Sequence, residues 1–134
     1  MVRGQWNFAV KAKDLAKVTE FYTKHLNAEV LLSGVILGCN YRLVRIGDCR
    51  IIVFDKAPYE DRLGEELPEG FLHAVYEVDD LDAHVRKLRE SGVDFVYEPA
   101  VIETDWDVRK IAFFVAPDGL RTEITQIVEV NKQV

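Results

Sequence analysis

Two side chains in this sequence have the chemistry of an acid–base or metal-binding pair, His73 and Glu123. Each lies in a segment where apolar and polar residues alternate, so each is expected on a β-strand. A buried carboxylate is unfavourable unless a cation lies beside it, so Glu123 should have His73, Arg50, Arg121 or a metal ion nearby. A lone histidine on a strand is also common as a hydrogen-bonded structural residue, and that alternative stays open for His73.

Other familiar catalytic chemistries have no support in the sequence. Ser33 and Ser91 are each followed by glycine, and neither lies in a nucleophile elbow. Cys39 and Cys49 lie beside predicted turns, without metal-ligand spacing or the surroundings of an activated thiolate. No glycine-rich phosphate loop or dinucleotide fingerprint is present. The sequence therefore favours neither covalent catalysis nor nucleotide chemistry.

Composition and charge limit the class of protein. The 134 residues are 49% hydrophobic and 30% charged, which is typical of one soluble globular domain. No apolar run approaches the roughly 18 residues that span a bilayer, and the N-terminus lacks the apolar core of a signal peptide. We therefore expect a cytoplasmic protein with free thiols and no membrane partner. The net charge of −6 disfavours nucleic acid as a partner and mildly favours a neutral or cationic ligand.

A weak internal repeat organises the chain. One alternating segment ends at Asp14-Leu15 and a similar one at Asp80-Leu81, 66 residues later. Apolar residues at helical spacing follow each pair, and each aspartate lies where a helix N-cap is expected. After each predicted helix the pattern changes to alternation interrupted by turn residues, which predicts three strands. Each half is therefore predicted to be β-α-β-β-β.

The two halves are predicted to form one domain. We place the modules at about 4–56 and 70–130, within a single domain of residues 1–134. The acidic, proline- and glycine-containing stretch at about 57–69 is interpreted as a linker. Neither half alone is large enough to bury a sufficient core. The predicted strands of the second half after its helix are Val93–Tyr97, Val108–Val115 and Arg121–Ile127.

Strand alternation predicts which side chains share a face. Trp6, Phe8 and Val10 should point to the helices, so Gln5 and Asn7 should point away from them. By the same reasoning, five side chains on the other strands should also point away from the helices: Arg50, Ile52, Phe54, His73 and Glu123. We therefore expect Asn7, Arg50, His73 and Glu123 to line one cavity.

These segments, in this order, resemble the vicinal oxygen chelate superfamily of glyoxalase I, bleomycin resistance proteins, fosfomycin resistance enzymes and extradiol dioxygenases. The resemblance is carried by Asn7–Leu15, Phe21–Leu26, His73–Leu81 and Ala116–Ile124, the last containing Pro-Asp-Gly-x-x-x-Glu. It implies the glyoxalase/bleomycin resistance fold, an α+β domain whose two βαβββ modules form a curved, mostly antiparallel sheet around a concave cleft. It also implies a homodimer, which would cover the exposed edges of such a sheet.

The resemblance also implies where a metal would bind. In metal-dependent members the ligands come from the first and last strands of each module, positions that correspond to Asn7, Ile52, His73 and Glu123. His73 and Glu123 match the family pattern, whereas Asn7 replaces a histidine and Ile52 has no donor atom. The remaining three could hold a divalent Mn, Fe, Ni or Zn ion, with Gln5 as a further candidate ligand. Equally, His73 and Glu123 could bond each other as the remnant of a lost site.

Two functions are consistent with this resemblance. The first is a small-molecule-binding protein of the bleomycin resistance type without a complete metal site. Its candidate ligand contacts are Gln5, Asn7, Arg50, Ile52, Phe54, His73, Trp106 and Glu123. The alternative is a divalent-metal-dependent lyase, isomerase or transferase of the glyoxalase I or fosfomycin resistance type that uses His73 and Glu123. An extradiol dioxygenase ranks last, because Asn7 removes one of the two histidines it needs. Trp106 is either a lid over the cavity or an ordinary loop aromatic.

Overall fold

The chain passes twice through the order strand, helix and three strands. A computed structural model describes residues 1–134, which divide into two units. We call residues 7–72 the N-terminal unit, and residues 1–6 together with 73–134 the C-terminal unit. In chain order the elements are β1 (Val2–Lys11), α1 (Leu15–His25), β2 (Glu29–Ile36), β3 (Cys39–Ile46), β4 (Cys49–Phe54), α2 (Glu60–Leu63), β5 (Gly70–Val78), α3 (Leu81–Glu90), β6 (Phe95–Glu103), β7 (Asp107–Val115) and β8 (Arg121–Val130). None of the helices has the length and apolar composition needed to cross a membrane.

In the N-terminal unit the strands have the order β2-β3-β4-β1. β4 runs parallel to β1, with Ala9 paired to Ile52, and β3 is antiparallel to both β2 and β4. One face of this sheet packs against α1 through apolar side chains: Phe8, Val10, Ala12, Leu15, Val18, Tyr22, Ile51 and Val53. The predicted direction of Phe8 and Val10 is therefore confirmed, whereas Trp6 lies outside this cluster.

In the C-terminal unit the strands have the order β1-β5-β8-β7-β6. β5 and β8 are parallel, whereas β7 is antiparallel to both β8 and β6. Helix α3 packs on one face of this sheet through buried apolar side chains: Val78, Leu81, Val85, Ala112 and Ile124. The β-α-β-β-β order predicted for each half of the chain is therefore confirmed.

Strand β6 is longer than the sequence predicted. It continues to Glu103, whereas alternation alone ended this strand at Tyr97. The pairing of β6 with β7 shifts register on both sides of Tyr97, as a β-bulge does. A bulge breaks the two-residue period, and Pro99 inside the strand has no N–H to donate. β6 is the last strand in the order of its sheet, a position where proline is tolerated.

The stretch interpreted as a linker is attached to β1 by buried polar contacts. The Lys11 ammonium group donates to the Glu60 carboxylate at 2.7 Å and to the Leu67 carbonyl at 2.6 Å. The same Glu60 oxygen accepts the Leu67 N–H at 3.1 Å. Both charged side chains are at least 95% buried. Because each charge has several hydrogen-bond partners, burial of this ion pair is tolerated.

The N-caps of the two long helices are present as predicted. The Asp14 carboxylate accepts the Lys17 N–H at 3.0 Å, and the Asp80 carboxylate accepts the Ala83 N–H at 3.1 Å. Each carboxylate thereby satisfies one of the amide groups that the first turn of a helix leaves unbonded.

Removing either cap should lower stability by a measurable amount. We expect Asp14→Ala and Asp80→Ala each to reduce the free energy of unfolding by about 1 kcal/mol. Urea denaturation followed by circular dichroism measures this change. Asp94→Ala is the matched control, since Asp94 is exposed and lies outside both helices. Equal effects of the cap and control substitutions would contradict the assignment.

Candidate functional site

His73 and Glu123 lie on neighbouring parallel strands of the C-terminal unit. β5 pairs with β8 so that Ala74 is opposite Thr122 and Val75 is opposite Glu123. His73 is therefore two residues from the strand partner of Glu123. Since side chains alternate along a strand, both point away from the face that α3 covers. The structure thus places the imidazole and the carboxyl group on one face, on a diagonal between adjacent strands.

One aromatic ring borders this pair, and a second ring packs against the first. The Phe113 and His73 rings are perpendicular, with 4.9 Å between the ring centres and an angle of 88° between the planes. Phe113 is also the cross-strand partner of Glu123. The Tyr97 ring lies 5.8 Å from the Phe113 ring. His73 and Glu123 are 2% and 8% exposed, so their polar atoms are largely removed from water.

Burial keeps the His73 imidazole neutral. Burial, the larger cause, and the positive charge of Arg121 together lower the pKa of His73 from 6.5 to about 3. Arg121 directly precedes Thr122, the partner of Ala74, so it is level with His73 across the strand pair. At neutral pH the imidazole therefore carries one N–H donor and one nitrogen acceptor, without a charge.

Glu123 is a carboxyl group that changes charge near neutrality. Burial raises its pKa from 4.5 to about 7, while Arg109 lowers the pKa and Asp107 raises it. Both protonation states are populated at neutral pH as a result. A carboxyl group in this range can donate a proton or accept one, which is the property that general acid–base catalysis requires.

A buried cluster of two charged and two aromatic side chains adjoins Glu123. The Arg109 Nε–H donates to both Asp107 oxygens, at 3.0 and 3.1 Å. The guanidinium carbon lies 4.5 Å from the centre of the Trp6 ring and 5.5 Å from that of Trp106. The two indole rings are nearly parallel, with 5.9 Å between their centres. Stacking on aromatic faces and pairing with a carboxylate together fix the arginine.

This cluster corrects one expectation and adds residues that sequence reasoning missed. Trp6 packs on Trp106 and Arg109 and not with the apolar residues under α1. Trp106, left open as a lid or a loop aromatic, is a stacked ring that is 2% exposed. Asp107 and Arg109 were missed altogether. Their spacing of two residues, which puts both on one face of a strand, was the available signal.

All but one of the other predicted site residues lie outside the C-terminal unit. Asn7, Arg50, Ile52 and Phe54 belong to the N-terminal unit, where Ile52 and Phe54 are buried in β4. Asn7 is 3% exposed and its amide donates to the carbonyl of the next residue at 3.2 Å. Gln5 belongs to the C-terminal unit but is exposed in β1. The C-terminal unit thus brings together three of the predicted residues, which are His73, Trp106 and Glu123.

The donors in this unit do not fit a divalent metal ion. No group of three or more histidine, cysteine, aspartate or glutamate side chains is close enough to hold one. His73 and Glu123 supply two donors, one fewer than the smallest predicted ligand set. The positive charge of Arg121 lowers the pKa of His73, and that of Arg109 lowers the pKa of Glu123. Their charges would oppose a nearby dication.

Comparison with known proteins supports the predicted fold. The chain is similar to a methylmalonyl-CoA epimerase from Mycobacterium tuberculosis, with 23% identity and a TM-score of 0.74 over 95% of this chain and 89% of that one. A Streptomyces coelicolor methylmalonyl-CoA epimerase, solved with 2-nitronate-propionyl-CoA, gives 21% identity and a TM-score of 0.75 over 94% and 98% of the chains. A hypothetical protein from Bacillus halodurans gives 18% identity and 0.74 over 93% and 94%.

Sequence comparison identifies the family. No curated protein matches this sequence significantly. The family model of the Glyoxalase/Bleomycin resistance protein/Dioxygenase superfamily matches residues 7–124, which include both β-α-β-β-β halves. The chain therefore belongs to the Glyoxalase/Bleomycin resistance protein/Dioxygenase superfamily.

Proposed function

We propose that this protein binds a small molecule, without a divalent metal, at the His73–Glu123 face. We define this face by His73, Tyr97, Phe113, Arg121 and Glu123. The observation that carries the proposal is the pairing of a neutral imidazole with a carboxyl group of pKa about 7 beside aromatic rings. Ligand sites commonly combine aromatic walls with a few convergent polar groups, as this face does.

Charge argues for binding without a metal. Burial raises the pKa of Glu123 to about 7, so a metal ion at this carboxylate would have to compete with a proton near neutral pH. The guanidinium groups of Arg109 and Arg121 already bring positive charge to both ends of the pair. Family membership supports a small-molecule ligand, because similar structures contain bound CoA derivatives.

Ligand binding after metal removal tests this proposal. Protein treated with EDTA and desalted is screened against small aromatic fragments by ligand-observed NMR. We expect fragments to bind equally with and without EDTA treatment, and Glu123→Gln to change their affinity. Glu129→Gln is the matched control, because Glu129 lies exposed near the end of the same strand. Stoichiometric Mn, Fe, Ni or Zn in protein purified without chelators, or fragment binding that needs added metal, would contradict the proposal.

Enzymatic proton transfer is a second candidate. The pKa of Glu123 suits a residue that removes and returns a proton, and similar structures are methylmalonyl-CoA epimerases. Incubating the protein with methylmalonyl-CoA in D2O distinguishes the two functions. Exchange of the acidic C–H for deuterium that Glu123→Gln abolishes and Glu129→Gln preserves would favour the enzyme. Its absence, together with fragment binding, favours the binding protein.

A further inference from the structure

We propose that strand β2 pairs in antiparallel orientation with β2 of a second copy of this chain, and that the exposed side of α1 contributes to the same interface. This inference is independent of the proposed small-molecule site, since it concerns residues of the N-terminal unit alone. The family resemblance implies a homodimer without saying which surface forms it. The distribution of prolines, bulges and exposed apolar side chains favours β2 over β6.

β2 is an edge strand with few of the features that protect such an edge. It stands at one end of the order β2-β3-β4-β1, so along its outer side β3 leaves a row of N–H and C=O groups unbonded. After one irregularity near its start, it pairs with β3 in unbroken register from Leu32 to Ile36. It contains no proline, lysine or arginine, and its one charged residue, Glu29, forms an ion pair with Arg45 of β3 at 3.3 Å. This edge is therefore suited to accept another strand.

β6, the last strand in the order of the C-terminal unit, is better protected. Its register with β7 shifts on both sides of Tyr97, and Pro99 has no N–H to donate. Glu98 and Glu103 add negative charge to the same strand. Bulges, proline and charged side chains all keep an exposed strand from pairing with another chain. The contrast directs association to β2.

Two exposed valines of β2 lie on the face of the sheet that α1 covers. Val30 is opposite Val44 of β3, and Val44 is in turn opposite Ile51, which packs under α1. Val35 is opposite Asn40, which is four residues from Val44 and therefore on the same face. Both valines are exposed, Val35 to the extent of 61%. The helix thus leaves apolar surface uncovered at this edge.

α1 leaves apolar side chains exposed as well. The helix contacts both β2 and β3, yet Thr19 is its only buried residue. Phe21 is 56% exposed, and Leu26, directly after the helix, is also exposed. In α3, 66 residues later in the repeat, the position of Phe21 is occupied by Lys87. Charged side chains are the usual residues on an exposed helix surface, so we interpret Phe21 as a contact residue.

A second copy of the chain fits both surfaces at once. Antiparallel pairing of two identical strands has a twofold axis and satisfies the edge groups of both. Val30 and Val35 are equally far from the middle of β2, so an axis there places Val30 of each copy beside Val35 of the other. The two α1 helices then lie on the same side of the joined strands. Phe21 adds apolar area to that of the strands, as a stable interface of roughly 1,200–2,000 Å² requires.

The oligomeric state of the full chain tests the inference. Analytical ultracentrifugation over a range of micromolar concentrations measures the dissociation constant of the dimer. We expect Phe21→Lys and Val35→Lys each to raise this constant at least tenfold, because each puts a charge into the apolar interface. Val101→Lys is the matched control, since Val101 is an exposed valine of the other edge strand, β6. It should leave the constant unchanged.

Disulfide cross-linking tests the antiparallel arrangement. Chains with Val30→Cys and chains with Val35→Cys are mixed and oxidised with diamide, in a Cys49→Ser background because Cys49 is exposed. The mixture should form cross-linked dimers faster than either variant alone, since the twofold axis places position 30 beside position 35 of the other copy. These small substitutions keep the test valid if a lysine variant does not fold.

The other outcomes contradict the inference. Wild-type protein that stays monomeric throughout the concentration range overturns it, and so does a dimer that survives both Phe21→Lys and Val35→Lys. A dimer that only Val101→Lys dissociates would place the interface at β6. Cross-linking of either variant alone as fast as that of the mixture overturns the antiparallel pairing. None of these results changes the fragment screen, whose failure would overturn the proposed function and leave the dimer standing.

Discussion

Between pH 7 and pH 4, the free energy of unfolding should fall by about 3 kcal/mol more in wild-type protein than in His73→Gln. Each unit of pKa shift is worth about 1.4 kcal/mol. Burial and, to a smaller extent, the charge of Arg121 lower the pKa of His73 from 6.5 to about 3. Above pH 6.5 the imidazole is neutral in both the folded and the unfolded chain, so it carries no penalty. As the pH falls toward 3, the unfolded chain takes up a proton that the folded chain excludes, and stability is lost.

Urea denaturation at a series of pH values measures this effect. The relevant quantity is the difference in unfolding free energy between His73→Gln and wild type, because a constant loss of packing cancels from its pH dependence. His25→Gln is the matched control, since His25 is exposed in α1. A difference that is independent of pH between 7 and 4 would show that His73 is not buried in its neutral form.

Local sequence signals were sufficient for much of the fold. Asp14 and Asp80 cap their helices because a carboxylate one residue before a helix satisfies a free amide wherever it occurs. Asn27 and Gly92, which lie just after α1 and α3, have positive φ values of 53° and 84°, a conformation that asparagine and glycine adopt readily at helix ends. These features depend on a few neighbouring residues. The end of β6 was mispredicted because its bulges depend on pairing with β7.

The chemistry of the candidate site was only partly visible in the sequence. Alternation was enough to place His73 and Glu123 away from their helix, since it needs no knowledge of distant residues. Arg121 was considered as a partner for Glu123, yet its charge acts on His73, and Arg109 acts on Glu123. Which cation faces which group depends on register between strands that are far apart in sequence. Likewise, the size of each pKa shift depends on burial, which is a property of the folded chain.

The charge of Glu123 should produce the opposite pH dependence. Burial raises its pKa from 4.5 to about 7, so the folded chain holds a proton that the unfolded chain releases. The stabilising effect is complete below pH 4.5 and is lost as the pH rises through 7. Relative to Glu123→Gln, wild-type protein should therefore become about 3 kcal/mol less stable between pH 4.5 and pH 8.

The same denaturation series, run on Glu123→Gln with Glu129→Gln as control, tests this expectation. A stability difference between Glu123→Gln and wild type that stays constant from pH 4.5 to 8 would mean that Glu123 is ionised throughout, as a metal ligand would be. His73 lowers the stability of the folded chain as the pH falls, and Glu123 lowers it as the pH rises. Their effects on stability therefore oppose each other between pH 4.5 and 7. Wild-type stability should consequently vary less with pH than that of either variant. A double variant, His73→Gln with Glu123→Gln, should recover that flat profile, because it removes both titrations together.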